Sequence, residues 1–241
     1  MLVGLGLVLG GWALGAQIRA TRLADRYVSV RGLAERTVKS DLAIWNLEYT
    51  ETGDELPALY TRSESDRKIV LQFLKEQGIV PDEIGMGVVQ VLDNQAREYG
   101  ASNKAPHRYL VQQQITVQTA RVDQVAAAAQ KTVNLLQQGV VLNTSSNQGL
   151  AFRFNGLNSI KPDMITEATR NARAAADRFA VDADSRVGTI RNASQGIFSI
   201  SSANTGSATG EAEDGGVSGS DDSSIMKKVR VVTSVEYFLE K

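Results

Sequence analysis

The chain has 241 residues, 26 of them basic and 27 acidic, for a formal net charge of -1. No run of Lys or Arg builds the clustered positive surface that phosphate binding needs, so nucleic acid is excluded as a partner. Cysteine is absent, which excludes disulfides, thiol nucleophiles and thiolate metal sites and suits a bacterial envelope.

Met1 to Ile18 carries no charged side chain. As a helix it would run about 27 Å, close to a hydrocarbon core of about 30 Å. Two readings compete. A cleaved signal peptide would have a basic stretch before the apolar run and small residues at the cut; Ala13-Leu14-Gly15 offers a cut, but no Lys or Arg precedes the run. A retained anchor would have flanking charge and an interfacial aromatic. Arg19, Arg22 and Arg26 supply the charge, and Trp12 lies a little deep for the aromatic. Gly6 and Gly10, then Gly11 and Gly15, repeat the G-x-x-x-G spacing that lets membrane helices approach closely, although glycine is also common in apolar leaders. We read residues 1–18 as a membrane anchor and 19–26 as a basic linker.

Residues 27–241 follow as one α+β domain. Tyr27 to Val38 reads as a strand with a bulge at Gly32; Lys39-Ser40-Asp41 turns, and Leu42 to Thr50 returns as the second arm of a hairpin. Asp54 is placed to cap a helix from Leu56 to just before Gly78, whose apolar face is diluted by Ser63 and Asp66. A strand over about Gly85–Gln95 precedes a polar loop. Next comes a clear strand with Tyr109, Val111, Ile115 and Val117 on one face and Gln112, Gln114 and Gln118 on the other. That alternation marks a sheet with one wet face, hence largely antiparallel pairing.

A second helix is expected over Val122–Gln138, closed by Gly139, and a short strand near Leu150–Phe154. Pro162 is placed in the first turn of a third helix, with Ile165, Ala168, Ala172, Ala175, Ala176 and Phe179 as its buried stripe. Two last strands, Gly188–Ile200 and Ile225–Leu239, flank a Gly/Ser-rich acidic stretch at 201–224. That stretch has too little apolar surface to offset the entropy of ordering and reads as a flexible hairpin loop; its acids miss the EF-hand spacing of a calcium site. The expected fold is therefore α+β: mixed, largely antiparallel sheets, about three packed helices and one N-terminal hydrophobic helix.

Motifs for chemistry are sparse. His107, the single histidine, has no second histidine or cysteine with which to complete a common metal set. No nucleophile elbow, phosphate loop or dinucleotide fingerprint occurs, and Ser199, Ser201 and Ser202 have no evident base. Trp45 and Tyr49 could line a pocket, but their alternation on one strand face assigns them to the core. Neither a catalytic group nor a cofactor is expected.

Three stretches resemble the SIMPL-domain family. They are Tyr27-Val28-Ser29-Val30-Arg31-Gly32-Leu33-Ala34-Glu35-Arg36 continuing through Val38-Lys39-Ser40-Asp41-Leu42-Ala43-Ile44-Trp45; Gly156-Leu157-Asn158-Ser159-Ile160-Lys161-Pro162-Asp163-Met164-Ile165 through Glu167-Ala168-Thr169-Arg170-Asn171-Ala172-Arg173; and Lys227 to Leu239. The resemblance implies an α+β envelope protein, periplasmic or membrane-linked, without established enzymatic activity or defined catalytic residues. It also brings ring-like, channel-shaped oligomers and stress responses into view. It sets the domain in the periplasm, whereas the arginines after the apolar run, counted alone, favour the cytoplasm. Two functions are expected to compete. One is a membrane-anchored homo-oligomer forming a ring, scaffold or cage, with membrane lipid and further copies of itself as partners. The other is a periplasmic module that binds a small molecule or partner protein in stress protection.

Overall fold

The computed structural model describes residues 26–96, 106–143, 149–203 and 223–240. The expected anchor, with Gly6, Gly10, Gly11, Gly15, Arg19 and Arg22, lies outside them, as does most of the acidic loop. Among the described residues no helix is long and apolar enough to cross a membrane.

In chain order the elements are β1 (Tyr27–Lys39), β2 (Leu42–Gly53), α1 (Leu56–Glu76), a 3₁₀ turn at Pro81–Glu83, β3 (Ile84–Met86), β4 (Gln90–Asp93) and β5 (Tyr109–Thr119). They continue with α2 (Val122–Ala129), α3 (Val133–Gln137), β6 (Leu150–Arg153), α4 (Leu157–Asp182), β7 (Arg186–Gln195), β8 (Ser199–Ser202) and β9 (Met226–Glu240). One sheet has the order β1-β9-β7 with β8 also on β9; the other has β3-β5-β2-β6 with β4 also on β5. The pairings of β2 with β5 and β6, of β5 with β3 and β4, and of β7 with β9 are antiparallel. The class is α+β, as expected.

The described residues gather into two compact units. Unit 1 takes the described residues of the segments up to 37, 157–200 and from 228 on, and unit 2 those of 38–156 and 201–227. In unit 2 the inward residues of β2 (Ala43, Trp45, Leu47, Tyr49) and β5 (Ile115, Val117) meet Val70, Phe73 and Leu74 of α1 and Val122 and Val125 of α2. Alternation on the strands and helical spacing on α1 put these side chains in one layer. Burying each large one contributes about 1.5–3 kcal/mol. In unit 1, Val30, Val235 and Tyr237 pack with Ala172 and Ala176 of α4.

Several expectations are corrected. β1 and β2 form no hairpin, because they belong to different sheets. The Ser40 N–H donates to the Ile225 carbonyl at 2.9 Å and the Asp41 N–H to the Arg153 carbonyl at 3.0 Å, so the chain carries on instead of folding back. The strand expected over 85–95 is two strands. Met86 faces Ile115 and Gln90 faces Gln112, so residues 87–89 stand opposite only 113–114 and the ladder bulges. The helix expected over Val122–Gln138 breaks after Ala129, where Lys131 and Thr132 donate to carbonyls three residues back and tighten the turn.

The third helix starts at Leu157, so Pro162 lies inside it rather than at its start. Its buried stripe is Met164, Ala168, Ala172, Ala176 and Ala180, a strict four-residue repeat, while Phe179 is 59% exposed. The repeat of small side chains lets the helix sit on β1, and Gly32 is the other half of that fit. An ideal Cβ on Gly32 would stand 1.8 Å from the Ala168 carbonyl oxygen, so this glycine answers to a close approach of helix to strand. The strand expected over 188–200 is likewise split, into β7 and β8.

Candidate functional site

The residues that carry the family resemblance are drawn together by packing. In unit 1, Gly32 lies against Ala168 and Ala172, and the Asn171 amide donates to the Leu33 carbonyl at 2.8 Å. In unit 2, the Asp41 carboxylate accepts the backbone N–H groups of Asn155 and Gly156 at 2.8–3.0 Å, holding the chain ahead of α4. These motifs position segments; they present no reacting group.

A polar cluster interrupts the core of unit 2 at one end of the contact between α1 and the sheet. The register sets Tyr49 of β2 directly beside Gln113 of β5, both on the inward face. Ser63 of α1 falls four residues from Leu59 and seven from Val70, on the same buried face of the helix. The Tyr49 hydroxyl donates to the Gln113 side-chain oxygen and lies 3.4 Å from the Ser63 carbonyl oxygen. Burial pushes the Tyr49 phenol well above its ordinary range, and the neighbouring Asp66 and Glu64 carboxylates add to that against Arg67. The phenol therefore stays a donor.

Around it, Asp66 of α1 meets Glu51, two residues beyond Tyr49 on β2. Burial first, then a hydrogen bond and charge repulsion from Glu51, push the Asp66 carboxyl from 3.8 up to about 6. Asp66 therefore keeps its proton to higher pH than an ordinary aspartate, because ionising it here costs solvation and meets repulsion from Glu51. Arg67 pairs with Glu64 one turn away on the same helix. The buried Ser63 hydroxyl and Arg67 Nε have no hydrogen-bond partner among the described residues. The chemistry on offer is proton storage next to a buried phenol.

Two further polar groups brace unit 2. Glu83 accepts from Thr119 and Arg121, whose guanidinium also reaches the Gly78 carbonyl at 3.1 Å. Burial works to raise the Glu83 carboxyl, but hydrogen bonds from Arg121, Thr119 and the Val80 N–H hold it below its ordinary value. Asp93 is held low by the Arg108 guanidinium. Asp54 accepts the Arg108 N–H at 2.9 Å and is lowered by it, then by His107. Asp54 therefore braces β5 and does not cap α1, whose N-cap is Glu55 without a side-chain bond. His107 Nδ1 stands 3.4 Å from Asp54 on the surface. Among the described residues no three His, Cys, Asp or Glu side chains are grouped to hold a metal ion.

Of the residues singled out from the sequence, Arg26 is described: it is exposed, and its carbonyl accepts the Leu239 N–H at 2.9 Å. Trp45 and Tyr49 are 4% and 2% exposed, with Trp45 edge-on to Phe73, so both belong to the core. Sequence reasoning noted Ser63 and Asp66 only as a weakening of the apolar face of α1, and passed over Glu51, Arg67 and Gln113. The signal was there in part: Gln113 falls on the inward parity of β5, between Val111 and Ile115.

None of the curated proteins matches this chain. A family model does, that of SIMPL, described as a protein of unknown function (DUF541), over residues 28–237. That match spans every described strand and helix but the outermost residues of β1 and β9, with the motif contacts of Gly32, Asp41 and Asn171 inside it, and the chain belongs to the SIMPL family.

Proposed function

We propose that the protein is a non-enzymatic envelope protein, anchored in the inner membrane by residues 1–18 with its body in the periplasm, that assembles into a homo-oligomeric ring, scaffold or cage. The observation that carries the reading is the β3–β4 edge of the five-stranded sheet, which has no further strand on it among the described residues. From Ile84 to Leu92 that edge has no charged residue. Met86, Val88 and Val91 on it are 53%, 84% and 51% exposed. Edge strands left to solvent are usually guarded by charge or proline. Here the guard is shortness and a bulge alone, which leaves apolar side chains for another copy to cover. The glycine spacings of Gly6, Gly10, Gly11 and Gly15 would bring anchors together in the same assembly.

Light scattering on the full chain in detergent tests this. The expected mass is several times that of one chain, and Val88→Lys with Val91→Lys lowers it while leaving the melting temperature in place. A monomer at all concentrations would sink the proposal.

A further inference from the structure

One end of unit 1 is built from four pieces of chain. There β1 begins, β9 ends, β7 begins and α4 finishes. The Leu239 N–H bonds the Arg26 carbonyl, Arg186 stands across from Glu240, and Arg26, Tyr27, Ala183, Ser185 and Leu239 line one shallow depression. Among the described residues, large apolar side chains stand exposed at this end. Tyr27 is 47% exposed, and Phe179 and Val181, in the last turn leading to Ala183, are 59% and 72% exposed. The Arg191 guanidinium lies over the Tyr27 ring at 4.0 Å and reaches the Phe238 ring at 6.0 Å.

Aromatic rings with a polar tip, stacked arginine and isolated aliphatic side chains are the chemistry of a bilayer interface. We infer that this end of unit 1 rests in the interfacial layer of the membrane, with Tyr27, Phe179 and Val181 among the lipid headgroups and Arg191 bridging ring and phosphate. The inference rests on the reading of residues 1–18 as an anchor. Residues 19–26 separate that segment from Tyr27, and fully extended they reach no more than about 28 Å. The end of unit 1 that carries Tyr27 is thus tethered close to the bilayer surface, and its other end is not. Asp182, Asp184 and Glu240 offset Arg26, Arg186 and Arg191 there, so apolar contact rather than net charge carries the binding, and it persists in salt.

The absence of cysteine makes the test direct, because any introduced cysteine is unique. Phe179→Cys, Val181→Cys and Ile197→Cys, each labelled with the same environment-sensitive fluorophore in the full chain, are reconstituted into phosphatidylcholine vesicles with ordinary or brominated acyl chains. Ile197 is 88% exposed and follows the far end of β7, roughly 30 Å along the strand from Val187, so it serves as the control within the same unit. Labels at 179 and 181 are expected to lose about half their emission in brominated lipid while the label at 197 keeps its own. Vesicle flotation is read in parallel. Protein that floats with all three labels unquenched, or all three quenched alike, overturns the inference and leaves the anchor standing. Protein that fails to float overturns the anchor reading and the inference with it.

Discussion

Asp66 makes stability depend on pH in a direction opposite to most carboxylates. Because Asp66 is pushed up to about 6 in the folded chain, the native state holds its proton more tightly than the unfolded state. Its contribution is full at pH below the ordinary aspartate value and is lost as pH rises through about 6. Asp66→Asn removes this, so the variant should melt above the parent at about pH 8 and lose the parent's decline between about pH 4 and pH 6. A difference in melting temperature that stays flat over that range would refute the assignment. Asp54, Glu83 and Asp93 have lowered values, so their contribution is present above the ordinary carboxylate range and is lost as pH falls below it, through their lowered folded values. Tyr49→Phe tests the same cluster from the other side. It strips the buried Gln113 of its partner and should cost about 1–3 kcal/mol in denaturant unfolding.

The helix ends carry the next level of control. α1 closes with Gly78 at φ 78°, its N–H donating to Lys75 and that of Ile79 to Leu74, while Leu74 and Ile79 share the core. α3 ends the same way around Gly139, with Leu135 and Val140 as the apolar pair. α4 repeats the pattern with an aspartate in the left-handed position: Asp184 has φ 47°, and the Ser185 N–H reaches the Ala180 carbonyl at 2.8 Å. A Cβ in that conformation costs about 1 kcal/mol, less for aspartate than for most residues. Asp184→Gly should therefore stabilise the protein by up to about 1 kcal/mol, and Gly78→Ala destabilise it by about 1 kcal/mol or more, both read from chemical denaturation. Equal and opposite failures of the two would show that the caps do not limit stability. The glycines at 78 and 139 were legible as helix stops because a helix needs such a residue locally. Asp182 and Asp184 read from the sequence as capping or solvated residues at the end of the third helix, and the bonds to Ala180 and Val181 show that Asp184 is the one in the capping position.

At the scale of the whole molecule, the chain passes between its two units at residues 37/38, 156/157, 200/201 and 227/228. Unit 2 nevertheless has nearly all of its described core in one continuous stretch: its five-stranded sheet, α1, α2 and α3 lie within 38–156, and among the described residues only Ile225 joins from elsewhere. Unit 1 needs three separated segments before Val30, Ala172 and Val235 can meet. A fragment of residues 38–156 is accordingly expected to fold alone and melt cooperatively by circular dichroism, while residues 157–200 should remain unfolded. A non-cooperative melt of the first fragment would show that it depends on the rest of the chain. This arrangement also explains why the sheet partners escaped sequence reasoning. Alternation in β1 and β2 identifies two strands and their inward faces, and a three-residue link invites a hairpin, but the preference for neighbouring pairing yields here to long-range partners, β9 for β1 and β5 for β2.

Residue patterning by itself settled the α+β class, the strands at Tyr27, Leu42, Tyr109 and Met226, the helices at Leu56 and across Ala168–Ala176, and membership in the SIMPL family. Those are local properties: a period of two or of 3.6, a glycine after a helix, a run of matching residues. The tertiary structure alone decided that β1 and β2 part into separate sheets, that Gly32 makes room for α4, that the helix expected over 122–138 breaks, and that Ser63, Asp66 and Gln113 converge on Tyr49 with Glu51 beside Asp66. Each of these depends on contacts between residues far apart in the chain. A glutamine on the inward face of β5 reads as a flaw until the partner that faces it, Tyr49, 64 residues away on β2, is in place.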